Sequence, residues 1–305
     1  MRIKTTWDFS LDHEAQRLIH ATHQIAVGFF KVNGFYPVPY GTVPPQYINV
    51  LLPDLAYLTI PRFWEKVAKI PIDQMHMIDQ PELTSQLKRL LINVPTAPNI
   101  SKLKTQWTKI SPEFFDEVYK ILPHKKTSIK EVIIWPTNFG TACSFSKIEF
   151  TPGRVYIWLR ADQGVGAIGW ATLSALTRQD LIDHLDGLWQ ESQILVDWLM
   201  NETVLSKYFS RPRKTMSTLR SKQNATMLEI STKFLTKIGA PNIDSSVIKE
   251  IDTTSFTLRE KRLLDLLISK SPQIVTFDEI NELLTNNYEQ FSLYAISKSI
   301  QRLRD

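Results

Sequence analysis

A single cysteine, Cys143, stands among the 305 residues of this chain. That excludes an intramolecular disulfide framework and any zinc site built from several cysteines. It suits a reducing compartment. No apolar run approaches the roughly 18 residues that a membrane span requires. The first residues, Met1-Arg-Ile-Lys-Thr-Thr-Trp-Asp, lack the apolar stretch of a secretory leader. A cytoplasmic protein without a membrane partner is expected. No internal repeat is present. Acidic residues are missing from Thr203 to Leu228, a stretch that holds Lys207, Arg211, Arg213, Lys214, Arg220 and Lys222. A run of this kind reads first as a solvated linker face and, more sharply, as an arm that contacts phosphates. The formal net charge of +5 permits a polyanionic partner without requiring one.

Hydrophobic residues make up 43% of the chain and charged residues 22%, so the bulk is globular rather than disordered. The length points to two or three domains. Residues 9 to 33 read as one helix, with Leu11, Ala15, Leu18, Ile19, Thr22, Ile25, Ala26 and Phe29 on the repeating face. The Pro-rich stretch that follows, from Gly34 to Gln46, is irregular or extended because proline fixes φ and lacks an N–H. Helices are expected near 61–69, 81–92 and 111–122, the last capped by Ser111 with Pro112 at its first position. Val132 to Pro136 and Arg154 to Arg160 read as strands, with a third near Phe145 to Phe150. Helices follow at about 165–178, 180–200 and 226–238, the last ending at Gly239-Ala-Pro.

The last fifty residues carry the clearest signal. Leu263, Leu264, Leu266, Leu267 and Ile268 share one broad helical face. Ile280, Leu283 and Leu284 face inward on a second helix that begins near Asp278. Leu293, Ile296, Ile300 and Leu303 line one side of a third, at spacings of three and four. Ser297, Lys298, Gln301, Arg302 and Arg304 then turn to solvent. Lys and Arg reach phosphates and guanine edges, while Gln and Ser can hydrogen-bond bases.

Three stretches here resemble the winged-helix output domain of OmpR-type response regulators. They are Phe256-Thr-Leu-Arg-Glu-Lys-Arg-Leu-Leu-Asp-Leu-Leu, Val275-Thr-Phe-Asp-Glu-Ile and Ile300-Gln-Arg-Leu-Arg. The resemblance covers about one sixth of the chain and implies that the third helix enters a DNA major groove. On that basis Lys298, Gln301, Arg302 and Arg304 are the expected contacts, with Ser297 as a lesser one. The family continues into a β-hairpin wing and carries an upstream receiver domain. This sequence stops at Asp305 and shows no receiver pattern. A tri-helical protein-binding or dimerisation module is the bland alternative.

Signals upstream are weaker. Gly164-Val-Gly-Ala-Ile-Gly169 matches G-x-G-x-x-G, but the expected second strand and its acidic end are missing, so a loop or helix start is the ordinary reading. Residues 110–200 faintly resemble small zinc-metallopeptidase-like domains, in which a strand pair precedes a helix bearing H-E-x-x-H. Gly169-Trp-Ala-Thr-Leu-Ser-Ala-Leu-Thr carries neither His nor Glu, which implies a catalytically inactive relative. His184 and Glu191 lie seven apart on the expected 180–200 helix, where ion pairing outweighs metal binding. His13, His20 and His23 read as surface or boundary side chains. Cys143 is expected to be structural, since a nucleophile needs a basic partner and His124 is distant in sequence. Trp158 and Trp170 flank the glycine loop and mark the first place to look for a pocket.

The expected fold is α+β. It has a helix-rich N-terminal domain with a small β-sheet over 1–202, a basic linker with one helix over 203–254, and a winged-helix-like three-helix unit over 255–305. The expected function is transcriptional regulation through double-stranded DNA, with homodimerisation open and no cofactor or metal. The N-terminal domain would sense, scaffold or oligomerise. A catalytically inactive metallopeptidase-like protein or an interaction scaffold is the alternative.

Overall fold

The computed structural model describes residues 3–42, 48–71, 80–92, 94, 98–146, 148–185, 187, 189–209, 225–241, 258–270, 275–276 and 279–280. The chain divides into two compact units, Met1–Asn242 and Ile243–Asp305. Helices dominate and the sheets are small, so the class is α+β.

The first unit holds a four-stranded sheet in the order β1 (Lys4–Trp7), β4 (Ile129–Thr137), β6 (Gly153–Arg160), β5 (Cys143–Phe145). β1, β4 and β6 run parallel, and β5 closes one edge antiparallel to β6. Along β4 and β6 the alternate residues Val132, Ile134, Val155 and Ile157 turn to one face and are fully buried. Two helices cover that face, α5 (Ser101–Ile121) with Leu103, Trp107, Phe114, Phe115 and Val118, and α6 (Val165–Arg178) with Ile168, Ala171 and Leu176. α7 (Trp189–Asn201) packs on α6 and adds Val196, Leu199 and Met200.

A second core gathers around α1 (Leu11–Ala26), which supplies Ala15, Leu18, Ile19 and Ile25. α2 (Phe29–Val32) follows, and the parallel pair β2 (Tyr36–Pro39) and β3 (Asn49–Leu52) comes next. α3 (Phe63–Ala68) and α4 (Pro81–Leu91) pack on α1. α8 (Ala225–Lys237) lies against β2, and Phe234 and Ile238 enter this core. The Trp64 indole N–H donates to the Ile238 carbonyl at 3.1 Å. Of the expected linker, Val204–Tyr208 and α8 are therefore packed into the first unit. Residues 210–224 and 242–257 lie outside the described residues.

Several elements differ from the sequence reading. The helix expected over 9–33 stops at Ala26 and restarts at Phe29, because Gly28 takes a left-handed φ of 79°. The helix expected to start at Ser111 begins at Ser101 and runs through Pro112. An internal proline costs about 3 kcal/mol. Trp107 on one side of it and Phe114 and Phe115 on the other share one buried face, each worth about 1.5–3 kcal/mol. The helix expected over 180–200 is broken into a π-turn, Gln179–His184, and α7. The Pro-rich stretch contains β2, whose partner β3 and the terminal β1 carry too little alternation to be seen in sequence.

Candidate functional site

In the second unit, α9 (Leu258–Lys270) buries Leu263 against Ile280, with Leu266, Leu267 and Val275 around them. The chain then enters a second helix through a reciprocal cap. The Glu279 N–H donates to Thr276 Oγ1 at 3.2 Å, and the Thr276 N–H donates to Glu279 Oε2 at 2.8 Å. The Ile280 N–H donates to the Thr276 carbonyl at 3.1 Å, the first helical bond. This is the capping box written in Thr276-x-x-Glu279, and it satisfies two N–H groups that a helix start leaves open. Ser297, Lys298, Gln301, Arg302 and Arg304 lie outside the described residues.

In the first unit the densest polar cluster joins α1 to the β4–β5 loop. Glu14 and Arg17 are one turn apart on α1, so both project to the same side. Glu14 Oε1 accepts from the Asn138 backbone N–H at 2.6 Å and from its side-chain amide at 3.0 Å, while Oε2 is buried without a partner. Arg17 donates to the Thr141 carbonyl at 2.9 Å, to Thr141 Oγ1 at 2.6 Å and to Ser144 Oγ. Arg160, at the end of β6, grips Asp162 through two nitrogens at 2.7 and 3.1 Å and donates to the Asn49 and Gly140 carbonyls. Asn49 belongs to β3, and Leu51 of the same strand bridges to Gly140. Three segments far apart in sequence, α1, β3 and the end of β6, thus meet on the β4–β5 loop.

The electrostatics follow from burial. Loss of water pushes the Glu14 carboxyl up to about 7, against the pull of the Asn138 hydrogen bonds and the Arg17 charge. Burial pushes Arg17 down to about 10, which leaves it cationic at neutral pH. A carboxyl near 7 has the right range for proton transfer. Glu14, Arg17 and Arg160 are only 2%, 1% and 1% exposed, however. The cluster therefore clamps the loop instead of presenting a reactive group. Sequence reasoning passed over it, because a Glu and an Arg at helical spacing ordinarily mark a solvent face.

The three histidines of α1 go separate ways. His13 stacks on Trp135 of β4 with centroids 3.9 Å apart. His20 Nδ1 lies 3.3 Å from Arg17. His23 is fully buried rather than at a boundary, and its Nδ1–H donates to the Val67 carbonyl at 2.7 Å. Among the described residues no group of three or more His, Cys, Asp and Glu side chains could hold a metal ion.

The glycine motif has a packing role. Gly164 caps α6, and Gly169 sits under the ring of Phe209, where a Cβ would come within 2.6 Å of the ring. The strand–helix step leads to the π-turn and α7 and not to a second strand. Trp158 packs on Trp135 at 4.7 Å and Trp170 on Phe145 at 6.0 Å, so the two tryptophans do not converge. Cys143 is half-buried at the start of β5, while His124 lies 3.7 Å from Asp180. His184 also faces Asp180, at 3.8 Å, and Glu191 belongs to a different helical segment. Compared with protein-family models, curated proteins and solved structures, the chain gives no match to any of the three.

Proposed function

We propose that this chain is a duplex-DNA-binding regulator whose C-terminal unit is a winged-helix-like reader, held by a first unit that acts as a scaffold. The observation that supports this reading best is the capped helix start at Thr276–Glu279, packed through Ile280 onto Leu263 of α9. It joins α9 to the start of a second helix. The next amphipathic stretch, Leu293 to Arg304, has cations and amides on its polar side. In such tri-helical units the last helix meets the major groove. Lys298, Arg302 and Arg304 would supply phosphate attraction, with Gln301 and Ser297 as readers of base edges.

A second reading concerns the first unit alone. The antiparallel pair β5–β6 leads directly into α6, which packs against α7. That order is the one the metallopeptidase-like resemblance of residues 110–200 implies, with a helix that carries neither His nor Glu over Gly169–Thr177. It supports a non-catalytic scaffold and is compatible with the DNA-binding reading.

The test is a salt titration of duplex-DNA binding by the full chain and its Lys298→Ala/Arg302→Ala variant. Loss of two phosphate contacts lowers the slope of log K against log salt by about 2. An unchanged slope and affinity in a folded variant would remove the C-terminal unit from the binding surface.

A further inference from the structure

We propose that the first half of α5 lies against the phosphate backbone of duplex DNA, with Lys102, Lys104 and Lys109 as its contacts. This rests on the duplex-DNA reading above and gives the first unit a share in binding. The three lysines are exposed. Among the described residues no carboxylate pairs with any of them, whereas Lys66 reaches Glu82, Lys88 reaches Asp12 and Lys125 reaches Asp180. No Asp or Glu occurs between Glu82 and Glu113. Folding does not call for this arrangement. α5 has no acidic residue in its first turn, and Lys102 and Lys104 stand at the positive end of the helix dipole, where cations are disfavoured. Its carboxylates, Glu113, Asp116 and Glu117, come only in the second half.

Charge without apolar surface decides the occupant. From Ser101 to Lys109 every exposed residue is Lys, Ser, Thr or Gln. That face has no apolar side chain to insert into lipid and none to anchor in a protein pocket. A row of phosphates needs neither and is held by cations. Around the helix, Thr105 and Thr108 lie along the middle of the exposed arc. Lys102 and Lys109 lie about a quarter turn to one side and Lys104 about a quarter turn to the other. A helix laid along a groove has a phosphate strand on each side, and this distribution offers cations to both. On the opposite side Leu103 and Trp107 enter the core, and the Trp107 indole N–H donates to Thr5 Oγ1 at 3.2 Å. The lysines are therefore presented by a fixed element.

The test is a salt titration on duplex DNA of the full chain and its Lys102→Gln/Lys104→Gln/Lys109→Gln variant. Glutamine keeps the helix propensity of lysine, and circular dichroism checks the fold. The slope of log K against log salt should fall by about 3, one for each lost phosphate contact. Affinity at physiological salt should fall at least about tenfold. Lys102→Arg/Lys104→Arg/Lys109→Arg should keep the parent slope. Where the triple glutamine change unfolds the chain, Lys109→Gln alone carries the test, with a fall of about 1. An unchanged slope in a folded glutamine variant overturns the proposal while the parent's binding keeps the duplex-DNA reading. A parent that does not bind duplex DNA overturns both. Vesicles containing phosphatidylserine are the second probe. Vesicle binding that the glutamine variant loses, with duplex binding kept, overturns the proposal and assigns the face to a membrane surface.

Discussion

Gly140 lies directly against the guanidinium of Arg17. A Cβ at that position would sit 2.8 Å from Arg17 Cζ, and the backbone there has φ of +85°. Both facts require glycine. Gly140→Ala should lower unfolding free energy by about 2–4 kcal/mol, from left-handed strain plus overpacking. In an Arg17→Ala background the same change should cost only the backbone part, about 1–2 kcal/mol. Denaturant unfolding of the four proteins closes the cycle, and additive effects would separate the two residues.

Glu14 gives the first unit a pH signature. Its folded pKa, about 7, lies above its ordinary value of 4.5. The folded state therefore holds the proton more tightly than the unfolded state does. The stabilisation is complete below about pH 4.5 and is lost as pH rises to about 7, at most ~3 kcal/mol in all. Glu14→Gln keeps an acceptor for Asn138 and cannot ionise. Its stability relative to the parent should rise across that window. His13 and His23, whose pKa values burial lowers, act in the opposite sense as pH falls, so the difference between the two proteins is the measurement to make.

Thr276→Ala removes the acceptor for the Glu279 N–H and the hydroxyl that donates to the Glu279 carboxylate, while the backbone N–H at 276 still donates to it. The second unit should lose about 1 kcal/mol. Hydrogen exchange should show faster opening at Leu263 and Ile280, with the amides of β4 and β6 unchanged. An equal change at the amides of β4 and β6 would contradict an effect confined to the second unit.

Gly169→Ala tests the glycine motif. Alanine is the better helix former by about 1 kcal/mol, yet its Cβ meets the Phe209 ring. The substitution should destabilise by about 1–2 kcal/mol in the parent. It should stabilise when Phe209→Ala has already removed the ring. A destabilisation that persists without the ring would mean that the glycine serves something other than packing.

Much of the architecture was readable from the chain. α4, α6, α8, α9 and the strands β4 and β6 follow from apolar spacing and from Gly and Pro at their ends. The α1 region was seen, but its break was not, because nothing around Gly28 distinguishes a tolerated helical glycine from a left-handed one. β1 was missed because Lys-Thr-Thr-Trp acquires its role only beside β4. The Thr276–Glu279 cap was written openly as T-x-x-E before an apolar residue. The Glu14–Arg17–Arg160 cluster was not, since burial of charge depends on which distant loop arrives.

The pairing of β1 with β4 has a consequence for how the chain is made. Thr6 hydrogen-bonds Glu131, 125 positions later, and every ladder bond of β1 is of this kind. β1 has no partner in the sheet until β4 has been synthesised. During that interval its unpaired backbone edge is open, and the four-stranded sheet can close only after α1 to α5 have been made. Closure over so long a separation is slow. In the second unit, by contrast, Leu263 packs with Ile280, close by in sequence, so that contact can form soon after its residues are synthesised.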